Sequence, residues 1–258
     1  MRWLLWRKLV VPLVGIVLGL AALSANADVI GTLQGVNPGL TGYLSGTALT
    51  GGAAHVWAGQ LDWGNASGLK SPTQTTFWTY CVQINNDIGI GGTYRWTVTD
   101  IANTLDVDLN PTLKVQKATA LQQLFGYVQT QAATGTPVNG GLSLGNAQAA
   151  ALQLAVWEIV YSPTDPYTTS LTPASIYLSF TADSDNTTVQ SVALSYLTNF
   201  KGYGSALPLD GLTSVGAGQN QAITASQGGP VVPAPATSVA VIAMLGVGGL
   251  FGRLRGRA

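Results

Sequence analysis

The sequence is poor in the residues on which most protein chemistry depends. Its 258 residues include one cysteine, Cys81, and one histidine, His55. A single thiol cannot form an internal disulfide, and the sequence has no cluster of cysteine and histidine that would suggest a metal site. We therefore expect neither a metal nor a cofactor.

Charged residues are also scarce, at 9% of the chain, and they are unevenly distributed. All eleven acidic residues lie between residues 28 and 210, whereas six of the eleven basic residues lie near the two ends. The region between the ends thus has five basic and eleven acidic residues, a net charge of 5 − 11 = −6. Nucleic acid and anionic lipid are poor partners for such a charge.

The N-terminus has the layout of a secretory signal peptide. Three basic residues precede an apolar stretch from Leu9 to Leu23, and Ala25-Asn26-Ala27 supplies the small residues of a cleavage site. This pattern predicts export and removal of residues 1–27 by signal peptidase. The alternative, an uncleaved membrane anchor, is disfavoured because the apolar run is short.

The C-terminus repeats these parts in reverse order. A proline-containing motif with Pro233 and Pro235 is followed by an apolar stretch and then by an arginine cluster at Arg253, Arg255 and Arg257. Residues 233–258 resemble the PEP-CTERM sorting signal of bacterial exported proteins. The resemblance implies that an exosortase removes this tail after transient membrane anchoring, and that the protein reaches the cell surface or the extracellular space. An ordinary C-terminal membrane helix is the alternative, although the segment is short for a permanent span.

The periodicity of the remaining chain predicts an α+β fold. Short alternating segments separated by glycine and asparagine, from residue 28 to about 112, indicate a β-rich sheet or barrel. About three helices follow, at 115–132, 147–161 and 187–200, the second capped by Asn146. We expect one domain over residues 28–215, with a final edge strand after residue 214. A flexible tether over 216–232 would link it to the tail.

Cys81 lies in an aromatic segment, residues 76–84, that reads as a strand. Strict alternation places Trp78, Tyr80, Val82 and Ile84 on one face and Cys81 on the other, less apolar face. This arrangement mildly disfavours the commonest role of a free cysteine, that of a small buried hydrophobe.

Gln153 is the polar exception in a helix that is apolar nearly all round. A buried amide without partners costs about 1–3 kcal/mol, so a partner is expected. It could be a backbone edge, or it could be Cys81. A thiolate that attacks the glutamine carbonyl and expels ammonia would leave a thioester, a stored electrophile that must be kept from water. Aromatic walls such as Tyr80 and Trp157 would exclude water.

Two motifs carry a resemblance to a known family. Tyr80-Cys81-Val82 resembles the aromatic-Cys-apolar motif of bacterial thioester domains, and residues 152–157 are similar to the family's TQxA(I/V)W helix motif, with Leu152 at the first position. Residues 120–125 are similar to the preceding helix. The resemblance implies that an amine on a target attacks the Cys81–Gln153 thioester, forming an amide with Gln153 and releasing Cys81. Such single-use crosslinking in adhesion or in a matrix is not enzymatic turnover.

The sequence leaves two alternative functions open. One is a cysteine hydrolase in which His55 acts as base for Cys81, although neither residue lies in a hydrolase signature. The other is a noncatalytic exported β-rich matrix or glycan-binding protein, in which Cys81 is a buried free thiol. Its stacking surface would consist of four tryptophans, Trp57, Trp63, Trp78 and Trp96.

Overall fold

The computed structural model describes residues 28–46, 49, 52–105, 110–131, 141–163, 165–166, 178–183 and 186–226. These residues fall within one compact unit that spans residues 27–230. The predicted signal peptide and the predicted sorting tail, including Pro233, Pro235, Arg253, Arg255 and Arg257, lie outside the described residues.

The fold is α+β, as the sequence predicts. The strands are β1 (Asp28–Gly46), β2 (Ala54–Ser67), β3 (Phe77–Cys81), β4 (Thr93–Asp100), β5 (Leu178–Ala182), β6 (Leu209–Ser214) and β7 (Gln221–Thr224). The helices are α1 (Ile101–Thr104), α2 (Pro111–Gln131), α3 (Asn146–Tyr161) and α4 (Asn186–Asn199). Within the described part of the chain, no helix combines the length and apolar character needed to cross a membrane.

All strand pairings are antiparallel and follow the order β2-β3-β7-β6-β4-β1-β5. An additional pairing between β1 and β2 closes six of the strands into a ring. The 19-residue β1 makes this closure possible, because its first residues pair with β4, its last residues pair with β5, and β2 runs along nearly its whole length. The site described below lies at the end of β3, where helix α3 packs on this ring.

The sheet continues beyond residue 215, the predicted end of the domain. Residues 221–224, assigned to a tether after a final edge strand, form β7, which is buried and pairs with β3 on one side and β6 on the other. A short strand with few apolar residues can be central when both neighbours bond to its backbone. Sequence patterning alone does not reveal such non-local pairing.

The three predicted helices are present, with small shifts at their ends. Helix α2 begins at Pro111, where proline is favoured because its missing N–H needs no partner, and the Asn110 side chain accepts a hydrogen bond from Leu113 N at 2.9 Å. Asn146 does not cap α3. Gly145 occupies the cap position, and its N–H donates to Gln148 Oε1 at 3.0 Å.

Aromatic residues fill the interior of the strand ring. Trp63 stacks on Phe77 with ring centroids 5.8 Å apart and meets Trp96 edge-on at 4.6 Å. Trp63 and Trp96 are fully buried, so the prediction that they belong to an exposed stacking surface is wrong. Tryptophan is large enough to stabilise a core strongly, and here Trp63 also satisfies its indole N–H at Thr79 Oγ1, 2.8 Å away.

Candidate functional site

Cys81 is the last residue of β3, and its position is fixed from both sides. The adjoining part of β3 pairs with β2, where Leu61 faces Thr79, and Cys81 itself pairs with Gln221 of β7. The residue is 4% exposed and forms no disulfide. A thiol at a strand end, held between two neighbouring strands, has little freedom to move away from the helix packed over it.

Gln153 of α3 lies directly on Cys81. Its side-chain Oε1 accepts a hydrogen bond from the Cys81 N–H at 3.0 Å, and its Nε2 donates to the Cys81 carbonyl oxygen at 2.7 Å. The glutamine is 1% exposed, so the predicted buried amide is present. The backbone edge that satisfies it is that of Cys81 itself. Cys81 and Gln153, which are 72 positions apart in the chain, are thus in direct contact.

The Cys81 thiol has two polar partners of its own. It donates to the carbonyl oxygen of Gln83 and lies 3.2 Å from Gln219 Oε1. Burial raises the pKa of the thiol to about 12, and the Gln83 contact and the Trp157 side chain only partly oppose this rise. Since the thiolate is the nucleophilic form, the buried thiol is a slow nucleophile at neutral pH.

Trp157 places a buried donor beside the sulfur. The Trp157 side chain lowers the pKa of Cys81 and so favours the thiolate. Its buried indole N–H has no hydrogen-bond partner among the described residues. A buried donor without an acceptor is uncommon, and an anion formed at the sulfur would satisfy it.

A polar network holds Gln219 against the thiol. Gln219 Nε2 donates to the Asn86 carbonyl oxygen, and Asn86 Nδ2 donates to Gly218 O at 3.1 Å. Gln83 Oε1 accepts from Asn220 N at 2.8 Å. These bonds join the turn after β3 to the β6–β7 connection. Sequence analysis missed Gln219, and no local pattern marks it, because its contact with the thiol spans 138 positions in the chain.

The C-terminal half of α3 is anchored by a buried lysine. Lys117 of α2 donates to Val160 O at 2.7 Å and to Ser162 O, which satisfies carbonyl groups at the end of the helix. Its side chain is fully buried, although lysine is almost never fully buried unless it is paired. Burial lowers the pKa of Lys117 to about 8, and the nearby Glu158 opposes this shift. This anchor helps to fix Trp157 and Gln153 against β3.

Cys81, Gln153, Trp157 and Gln219 share one cleft of about 460 Å³. The side chains that line it between the buried floor and the exposed mouth are mostly apolar: Leu33, Val36, Val56, Leu61, Ile84 and Ile88. Tyr80 is not among them. It is buried elsewhere, edge-on to Phe125 at 5.1 Å. Of the two aromatic residues expected to shield the site, only Trp157 therefore lines the cleft.

His55 lines the same cleft but is not hydrogen bonded to the thiol. Its Nε2 lies 2.9 Å from Asp183 Oδ2, and about half of the imidazole is exposed. Hydrogen bonds from Thr41 and His55 hold the pKa of Asp183 below its usual value. The described geometry therefore contains no Cys81–His55 pair of the kind a cysteine hydrolase needs.

The arrangement brings a thiol-bearing residue and a carboxamide together in the buried part of the cleft. Within the described ranges, no group of three histidine, cysteine, aspartate or glutamate residues is placed to hold a metal ion. Comparison with protein-family models, curated proteins and solved structures finds no match to this chain.

Proposed function

We propose that this protein forms an internal thioester between Cys81 and Gln153 and uses it to couple covalently to an amine on a target. The observation that carries the proposal is the pair of hydrogen bonds between the Gln153 carboxamide and the Cys81 backbone, at 3.0 and 2.7 Å. This pairing places the Gln153 carboxamide beside the residue that bears the nucleophile, and it supports acyl transfer because that reaction depends on such proximity.

The formation step balances without a cofactor. The Cys81 sulfur attacks the Gln153 carbonyl carbon, the C–N bond to Nε2 breaks, and the thiol proton leaves with the amide group as ammonia. Negative charge develops on Oε1, which already accepts the Cys81 N–H, and such a preorganised donor is what stabilises an oxyanion. With the thiol pKa raised to about 12, formation should be slow and the product protected.

In the coupling step the Cys81 sulfur is the leaving group. A neutral amine on a target attacks the thioester carbonyl, a C–N bond forms, the C–S bond breaks, and the amine proton passes to the departing sulfur. The unsatisfied indole N–H of Trp157 lies beside the sulfur, where it would stabilise the leaving thiolate. The reaction occurs once per molecule, so the protein is a covalent binder and not an enzyme.

The protein would be processed at both ends before it acts. Signal peptidase and an exosortase would process the two ends, and the C-terminal helix would hold the chain in the membrane only transiently. The mature protein would then act at the cell surface or in an extracellular matrix, with an amine-bearing molecule as partner and without nucleic acid.

A second candidate is a noncatalytic exported matrix or glycan-binding protein with a free thiol at Cys81. It is favoured by the hydrogen bond that the thiol donates to the Gln83 carbonyl oxygen, with Gln219 Oε1 as a second acceptor nearby, because these partners satisfy the thiol without any covalent bond. Trp57, 53% exposed and lining the cleft, could stack on a sugar.

Intact mass spectrometry separates the two candidates. The thioester predicts that the freshly purified protein is lighter by one ammonia, that methylamine adds its full mass, and that the Cys81→Ala variant shows neither change. A protein of full mass whose Cys81 is freely alkylated after unfolding contradicts the proposal and supports the second candidate.

A further inference from the structure

The cleft that contains Cys81 and Gln153 changes in character from floor to mouth. At its floor, Cys81, Gln153 and Trp157 are at most 4% exposed. At its mouth, Trp57 is 53% and Ile90 59% exposed. A nucleophile must therefore bring its reacting end in past apolar side chains and leave its other end at the mouth.

The ionisable side chains at the mouth favour positive charge. Asp87 lines the cleft and is exposed, and no described residue donates to its carboxylate or pairs with it. His55 also lines the cleft, and its Nε2 lies 2.9 Å from the carboxylate of Asp183. The described residues that line the cleft include neither lysine nor arginine. The net charge of −6 over the region between the chain ends adds to this field.

From this distribution of apolar and acidic groups we propose that the cleft selects alkyl amines that carry a second positive charge one alkyl chain away from the reacting nitrogen. A lysine in a basic patch of a partner protein belongs to this class, and so does a diamine. The inference rests on the proposed thioester and names its substrate class.

In this proposal the two ends of the amine occupy different parts of the cleft. The reacting amine loses one proton to solvent and enters as the neutral nucleophile, while its alkyl stem lies against Trp57 and the apolar wall. The second cation stays at the mouth near Asp87 and gains Coulombic attraction there, with a cation–π contribution from the Trp57 ring. An amine with a carboxylate at its far end meets repulsion instead.

The test compares cadaverine with 5-aminopentanoate, which present a primary amine on stems of similar length and opposite charge at the far end. Second-order rate constants are measured by thiol release and adduct mass and are expressed per concentration of neutral amine groups, which corrects for the two amines of cadaverine and for the different basicities of the two compounds. We expect cadaverine to react about tenfold faster, and the ratio to fall at least about threefold in Asp87→Asn and at high salt. Asp165→Asn, which removes the same charge outside the cleft, should keep the ratio of the native protein.

The measurements distinguish failure of the thioester proposal from failure of the proposed substrate class. If the native protein lacks the ammonia deficit, the thioester itself is contradicted, and the substrate class falls with it. If the thioester is present but the ratio of rate constants is near one, or is the same in Asp87→Asn as in the native protein, only the substrate class is contradicted. In Trp57→Ala, the preference for butylamine over methylamine should shrink, and an unchanged preference would remove Trp57 from the binding of the stem.

Discussion

Two glutamine side chains meet at Cys81, and they contact different parts of it. Gln153 is hydrogen bonded to the backbone N–H and carbonyl groups, whereas Gln219 Oε1 lies 3.2 Å from the thiol sulfur. Only Gln153 has its carbonyl oxygen on a preorganised backbone donor, which is why we assign it as the acyl donor. Gln219 orients the sulfur through Oε1 and must release it before attack.

The raised pKa of Cys81 leads to a prediction on its reactivity. After methylamine has opened the thioester, the free thiol should be alkylated slowly, because burial raises its pKa to about 12. The alkylation rate should rise about tenfold per pH unit from neutral pH and should not level off before pH 10, whereas the same thiol in denaturant should level off near pH 9. A plateau below pH 9 in the folded protein would show that the thiol is not buried as described.

The same shift links Cys81 to stability. The pKa of the thiol is higher in the folded state than in the unfolded chain. Its protonated form therefore contributes fully to the free energy of unfolding at pH values below the unfolded pKa, near 9. This contribution is lost as pH rises from about 9 to about 12. The opened protein should therefore lose stability at alkaline pH, and a variant without the thiol should lose less.

At the scale of the element, the sequence was informative where the relevant pattern is local. The buried, nearly all-apolar α3 and its polar exception Gln153 follow from periodicity, and so does a strand containing Cys81. The pairing of β7 between β3 and β6, the contact of Gln219 with the thiol and the burial of Lys117 all depend on neighbours far away in the chain. Local patterns carry no information on such neighbours.

The position of β7 leads to a prediction on truncation. A chain that ends at residue 215 lacks β7, including the buried Ile223, together with Gln219. Loss of one buried isoleucine costs about 1.5–3 kcal/mol, and the lost ladder hydrogen bonds add about 1 kcal/mol each, which together approach the whole stability of a typical domain.

We expect the chain of residues 28–215 to show no cooperative unfolding transition by circular dichroism, and the chain of residues 28–226 to unfold like one that continues to residue 232. Cooperative unfolding of the shorter chain would mean that β7 is dispensable and that the domain does end near residue 215.

At the scale of the whole molecule, the number and position of the lysines bear on the proposed reaction with amines. The region between the chain ends has only four lysines, Lys70, Lys114, Lys117 and Lys201, and none of them lines the cleft. Lys117 is also fully buried. In the proposed mechanism this placement limits the reaction of a molecule with its own amines, so that the thioester would react with an amine of a partner.

The measurement that tests the central claim most directly is peptide mapping of the freshly purified protein after digestion with pepsin, whose acidic conditions preserve a thioester. We predict one crosslinked pair of peptides, lighter than their sum by one ammonia, with fragments that place the bond between Cys81 and Gln153. The pair should be absent after treatment with methylamine. Separate peptides with unmodified Cys81 and Gln153, or a link from Cys81 to Gln219 instead, would contradict it.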